Sequence, residues 1–149
     1  MNEIKNKKSW DTLYKKYPQL FVNKNKDPRE SCMSFGIECN LGWYELLSSL
    51  CHRITNHEEN IEFRIKVRNK KDMENDTADL SYIPVTFDQA KSKFGGLRIY
   101  FSGGDDYVFG AVGMAEEYSY KICEVCGNPG KPNKGGWIST LCEHCRNKS

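Results

Sequence analysis

Residues 123 to 145 read CEVCGNPGKPNKGGWISTLCEHC, which places Cys123, Cys126, Cys142 and Cys145 as two C-x-x-C pairs separated by fifteen residues. Two residues between cysteines allow a tight knuckle to aim both sulfurs at one ion, and two such knuckles complete a tetrahedral four-sulfur shell. The spacing predicts a structural Zn2+ held by these four residues. With four protein ligands no position is left for water or substrate, so the metal would hold the fold and not catalyse. A redox pair is the alternative reading of C-x-x-C, but two pairs, with glycines at 127, 130, 135 and 136 and no βαβ pattern around them, fit a ribbon better. A tail this short buries too little surface to order itself, so metal binding would supply its folding free energy. The four residues after Cys145, RNKS, are expected to leave no room for the helix that follows the second knuckle in treble-clef fingers. A rubredoxin-like knuckle and hairpin is expected instead. Trp137 and Ile138 are expected to pack the ribbon against the main domain; a Trp that reads a base is the other option.

The rest of the chain is ordinary for a globular domain. It has 149 residues, 38% hydrophobic and 28% charged, and 22 basic against 20 acidic side chains give a net charge of +2. There is no overall basic field of the kind that dominates non-specific nucleic-acid binding, so a nucleic-acid role needs a local patch. The lysine-rich start MNEIKNKKSW has no apolar signal-peptide core, and no run approaches a membrane span, which predicts a cytoplasmic protein with no membrane partner. An odd count of seven cysteines argues against a disulfide scaffold, leaving Cys32, Cys39 and Cys51 as free thiols. A second metal site from Cys32, Cys39, Cys51 and His52 is disfavoured by their irregular spacing.

Hydrophobic periodicity orders the elements. Trp10, Leu13, Tyr14 and Tyr17 predict a short amphipathic helix ending before Pro18, and residues 23 to 32 read as a polar linker separating it from the main body. Trp43, Leu46, Leu47, Leu50 and Ile54 predict a helix over 41 to 55, with Asn40 as N-cap. In IEFRIKVR, residues 61 to 68, apolar and charged residues alternate, which predicts a half-covered strand; a mobile loop is expected over 69 to 80. YIPVTFDQAKSKF and LRIYFSG read as a hairpin around Gly95-Gly96, with a helical turn over Phe87 to Phe94 as the alternative. Val108, Val112, Ala115 and Ser119 trace a helix over about 105 to 120, and Gly110 and Gly113 suggest close packing on the sheet. The fold class expected is α+β: a small antiparallel sheet with helices on one face and a four-cysteine, zinc-ribbon-like appendage. The segments would be 1–30, an N-terminal helix and linker; 31–120, the α+β domain; and 121–149, the ribbon.

The runs ESCMSFGIECNLGWYELLSSLC, KFGGLRIYFSGGDD, MAEEYSYKICEVCGNPG and GGWISTLC resemble a family of small, uncharacterised bacteriophage and prophage proteins with a C-terminal zinc knuckle. The resemblance covers roughly residues 30 to 145 and implies a phage accessory protein acting in the cytoplasm of an infected bacterium. It brings no catalytic residues.

In RIYFSGGDD, glycines and an acidic pair stand before a helix, where backbone N–H groups and the positive dipole end can hold a phosphate. A nucleotide pocket would then use Gly103 and Gly104 at the phosphate, Asp105 or Asp106 at the ribose, Arg98 or Lys93 at a second phosphate, and Tyr100 or Trp43 stacked on the base. The competing reading makes Asp105 only an N-cap and Asp106 a favourable first-turn charge. Enzymatic activity has little support, since His52 and His57 lie outside any motif and His144 sits inside a knuckle. Two functions are carried forward. One is a non-catalytic phage protein that sequesters a small nucleotide-type ligand such as a host immune signal, in a pocket a homo-oligomer could build. The alternative is a zinc-ribbon module that binds nucleic acid or adapts proteins, with Lys121, Lys131, Lys134 and Arg146 supplying charge.

Overall fold

The computed structural model describes residues 8–68 and 79–148. Helix α1, Trp10–Lys16, starts at Ser9, whose hydroxyl accepts the Asp11 amide. Short 3-10 turns over Val22–Asn25, Cys32–Phe35 and Leu41–Trp43 lead into α2, Tyr44–Val67. Strands β1, Thr86–Lys93, and β2, Gly96–Ser102, form an antiparallel hairpin. Helix α3, Asp106–Ser119, follows, and the C-terminal ribbon is built from β3, Lys131–Pro132, β4, Thr140–Leu141, and α4, Glu143–Asn147. The architecture is α+β, as the periodicity implied.

The hairpin turns at Phe94 and Gly95, both at positive φ, +51° and +80°. This is the twist-matched geometry of a two-residue hairpin loop, in which the second position favours glycine. Leu97 and Ile99 on β2, with Phe87 and Ala90 on β1, face inward and are buried, while Arg98 and Tyr100 point outward. Helices α2 and α3 cover the apolar face through Leu47, Leu50 and Ile54 and through Val108, Val112 and Ala115. The Leu97 amide is satisfied by the buried Ser119 hydroxyl at 2.9 Å, which fixes α3 against the sheet.

Three expectations are corrected. The stretch 61 to 68 is not a strand: α2 runs 24 residues, through Val67, or about 36 Å. Of its alternating apolar residues Ile61 is buried, whereas Phe63 and Val67 are 64% and 63% exposed. Among the described residues no sheet face covers them. The helical period instead sets Arg64 and Arg68 one turn apart, and both reach Asp79, at 2.9 and 3.0 Å. Upstream, Glu58 accepts the Tyr82 hydroxyl at 2.6 Å and the Val85 amide at 2.9 Å, which ties the helix to the approach to β1. The loop expected over 69 to 80 falls mostly outside the described residues.

Residues 23 to 32 do not separate α1 from the body. Leu13, Tyr17, Leu20 and Phe21 belong to the same core as α2 and the hairpin, and buried Asn23 donates to the Phe87 carbonyl at 3.0 Å. Gly110 and Gly113 do not approach the sheet either; a Cβ at either position would meet nothing within 4 Å.

Candidate metal centre and the SGGDD loop

The ligand atoms of Cys123, Cys126, Cys142 and Cys145 all lie within 4.8 Å of one another, with the Cys126 and Cys142 sulfurs 3.6 Å apart. A tetrahedral ion with bonds of about 2.3 Å to sulfur needs sulfurs about 3.8 Å apart, so this cluster fits one metal ion. Two backbone features prepare it. The Cys145 amide points at the Cys142 sulfur at 3.4 Å, and Cys142 is the N-cap of α4, so a short helix does open inside the second knuckle where none was expected. The β3–β4 hairpin between the knuckles is present as expected.

Cys123 and Cys145 differ in their ease of ionisation. Burial pushes Cys123 up, but the amides of Cys142, Cys126 and Val125 outweigh it and hold the thiol at about 6. Cys145 is driven the other way, to about 12, chiefly by its hydrogen bond with Cys142. Crowded sulfurs suppress one another's ionisation, and a dication among them is what allows all four to be thiolates.

The ribbon docks through contacts that the sequence did not signal. Glu124, between the first two cysteines, is buried and accepts from the Asn40 side chain at 2.8 Å and the Ser92 hydroxyl at 2.6 Å. Asn40, expected as a helix cap, makes no side-chain capping bond and serves this contact instead. The Gly42 amide donates to the Glu124 carbonyl at 2.7 Å, and a Cβ on Gly42 would collide with that backbone. The Trp43 indole donates to the Ile122 carbonyl at 2.9 Å. Thr140, fully buried, donates to the Gly95 carbonyl. Trp137 takes no part in docking: it is 89% exposed, on the loop between β3 and β4. Ile138 is partly covered near Gly95.

The residues suggested for a nucleotide pocket do not converge. Trp43 is fully buried and cannot stack on a ligand. Lys93 stands at the hairpin turn, with its ammonium 5.7 Å from the Phe94 ring, whereas Gly103 lies beyond the other end of β2, roughly 20 Å away along the strand. Arg98 donates to the Tyr120 hydroxyl at 3.0 Å and the Leu97 carbonyl at 3.2 Å. Tyr100 is exposed on the outer face beside a small groove shared with Asn23 and Asp88. Gly103 and Gly104 adopt positive φ where the chain crosses Ile83 and Pro84, and the Gly104 amide is already bonded to the Ile83 carbonyl at 2.8 Å. Asp106 is an exposed residue in the first turn of α3.

Asp105 is the N-cap of α3. One carboxylate oxygen accepts the Val108 amide at 3.1 Å and the other meets His57 Nε2 at 2.8 Å. Burial raises this carboxyl, but the His57 and Val108 hydrogen bonds win and hold it below the ordinary aspartate value. The His57 ring stacks on Tyr107 with centroids 4.0 Å apart. Nothing in the spacing of His57 and Asp105 signalled this pair.

Among the other thiols, Cys51 is buried and pushed by burial to about 12, Cys39 is also raised by burial, and Cys32 is exposed. Among the described residues the C-terminal four form the one metal-binding group of this kind, and no helix is long and apolar enough to cross a membrane. No family model, curated protein or solved structure matches the chain.

Proposed function

We propose that the chain is a non-catalytic binding module whose ribbon, held by Zn2+, presents Trp137 to single-stranded nucleic acid. The observation that carries this reading is the 89% exposure of Trp137, on a loop with Lys134, Gly135 and Gly136 that follows Lys131 of β3. An exposed indole offers a face on which bases can stack, and such stacking tolerates any sequence. Zinc is the ion that a closed tetrathiolate shell of two C-x-x-C knuckles ordinarily takes. Its role is to order the ribbon.

Residues 125 to 148 hold Lys131, Lys134, Arg146 and Lys148 against the single carboxylate of Glu143. Arg146 is engaged in holding the hairpin, donating to the Lys131 carbonyl at 2.6 Å. A zinc tetrathiolate carries a formal charge of −2, so the ribbon as a whole is near neutral and the attraction is local to its tip. Two lysines at phosphates give a shallow salt dependence, with log K falling against log salt at a slope of about −1.4 for a single strand. In the setting that the phage resemblance suggests, this is an accessory protein that engages exposed strands. A nucleotide-type small ligand, the other reading of the sequence, would need a site other than the SGGDD loop, since the Asp105 oxygens and the Gly104 amide there are already engaged.

The test is fluorescence anisotropy of labelled oligo(dT) at several salt concentrations. Trp137→Ala should weaken binding by roughly 5- to 150-fold, the range given by a loss of about 1–3 kcal/mol of stacking. Lys131→Glu with Lys134→Glu should abolish the salt slope. No binding by wild type, or binding indifferent to Trp137, overturns the reading.

A further inference from the structure

Between the end of α1 and helices α2 and α3 the surface opens into a groove of about 650 Å³. Its base is apolar and buried, formed by Tyr17, Leu50 and Ala115. Two ledges flank it. On α2, Leu46 and Leu50 are four residues apart, and on α3, Met114 and Tyr118 have the same spacing and are 66% and 50% exposed. Side chains four apart on a helix lie one above the other, so each ledge is continuous over a turn.

The charge along this groove is one-sided. Its charged lining residues are Lys16 and Arg53, and no carboxylate lines it, in a chain with 22 basic and 20 acidic residues overall. The carboxylates of α3 lie elsewhere: Glu116 accepts the Ile99 amide at 3.0 Å, and Asp106 and Glu117 are exposed outside the lining. On the same helix, Gly110 and Gly113 carry no side chain, and a Cβ at either would meet nothing within 4 Å. Each costs about 1 kcal/mol relative to alanine in a helix, and together they leave room for another backbone to come close.

We propose that this groove receives an acidic amphipathic helix of a partner protein. Apolar residues of that helix, at the i, i+3, i+4, i+7 spacing of groove-bound helices, seat between the two ledges, and its carboxylates meet Lys16 and Arg53. Charge complementarity selects the partner, since a basic or neutral helix would leave the cationic rim unpaired. A second copy of this chain is a poorer occupant. Its acidic helix α3 already buries its apolar stripe, Val108, Val112 and Ala115, in its own core. The groove lies on other elements than the ribbon, so the proposal stands or falls apart from nucleic-acid binding.

The probes are two designed amphipathic peptides that share one leucine stripe, one with glutamates on its polar face and one with lysines, followed by anisotropy against the full-length protein. The acidic peptide should bind and the lysine peptide should bind at least about tenfold more weakly, roughly 1.4 kcal/mol. Arg53→Glu and Met114→Glu, both at exposed positions that the fold tolerates, should each weaken the acidic peptide by a similar factor, while Trp137→Ala leaves it unchanged. Equal binding of both peptides, no binding of the acidic one, or indifference to Arg53→Glu overturns the proposal. So does sedimentation showing a dimer that Met114→Glu splits, because a second copy then fills the groove.

Discussion

Thr140 in the ribbon donates its hydroxyl to the carbonyl of Gly95 in the hairpin turn, at 2.6 Å and out of contact with solvent. The ribbon is thereby fixed to the domain by a buried polar bond at the tip of the sheet. Thr140→Val keeps the shape and leaves the Gly95 carbonyl unpaired, at a cost of about 1–3 kcal/mol. Amide exchange in the ribbon should quicken and the melting temperature fall. Unchanged exchange would show that Glu124 and Trp43 hold the ribbon without it.

Elemental analysis of freshly purified protein should find one zinc per chain. Cys142→Ser removes one of four ligands and the sulfur that receives the Cys145 amide, so the variant should lose the metal and the ordered ribbon together. The domain should remain folded but less stable, because the ribbon's contacts to Asn40, Ser92 and Gly95 go with it. A red, iron-containing protein would replace zinc with iron at the same four sulfurs.

Thiol labelling separates the cysteines by environment. In the native, metal-loaded protein Cys32 should react alone, since Cys39 and Cys51 are covered and their thiols are pushed up by burial. Chelation should release the ribbon thiols next, with Cys39 and Cys51 reacting after denaturation. Early reaction of Cys51 would mean that α2 is not packed as described.

Asp105 makes stability depend on acid. Its folded carboxyl is held below the ordinary value of 3.8, so its ionised form stabilises the fold above that pH, and the contribution is lost as pH falls through the lower folded value. Asp105→Asn should be less stable than wild type near neutrality, with the gap closing below about pH 4. The side chain is 38% exposed, so solvent screening keeps the effect modest. A gap that persists into strong acid would assign the loss to the altered cap and not to charge.

Some of this was legible in the residues. The cysteine spacing placed the metal cluster, the Val108, Val112, Ala115, Ser119 stripe placed α3, and the apolar stretches around Gly95 placed the hairpin, because each is a local pattern with one physical solution. IEFRIKVR misled, since alternation indicates a strand only where a sheet face exists to cover it, and the preceding helix had room to continue. The pairing of Thr140 with Gly95, of Glu124 with Asn40 and Ser92, and of His57 with Asp105 spans 32 to 84 residues of chain. Such contacts leave no trace in local periodicity. Burial was the expectation for Trp137 because large apolar side chains are usually buried; at 89% exposure it stands in water instead.

The central claim is that the ribbon tip meets single strands through Trp137. Incorporation of 5-fluorotryptophan gives a resonance for each of Trp10, Trp43 and Trp137, and Trp137→Phe identifies the third. On titration with oligo(dT), the Trp137 resonance should shift and broaden while that of buried Trp43 stays in place, and removing the metal should abolish the response. A Trp137 resonance that does not move at saturating oligonucleotide would contradict the account.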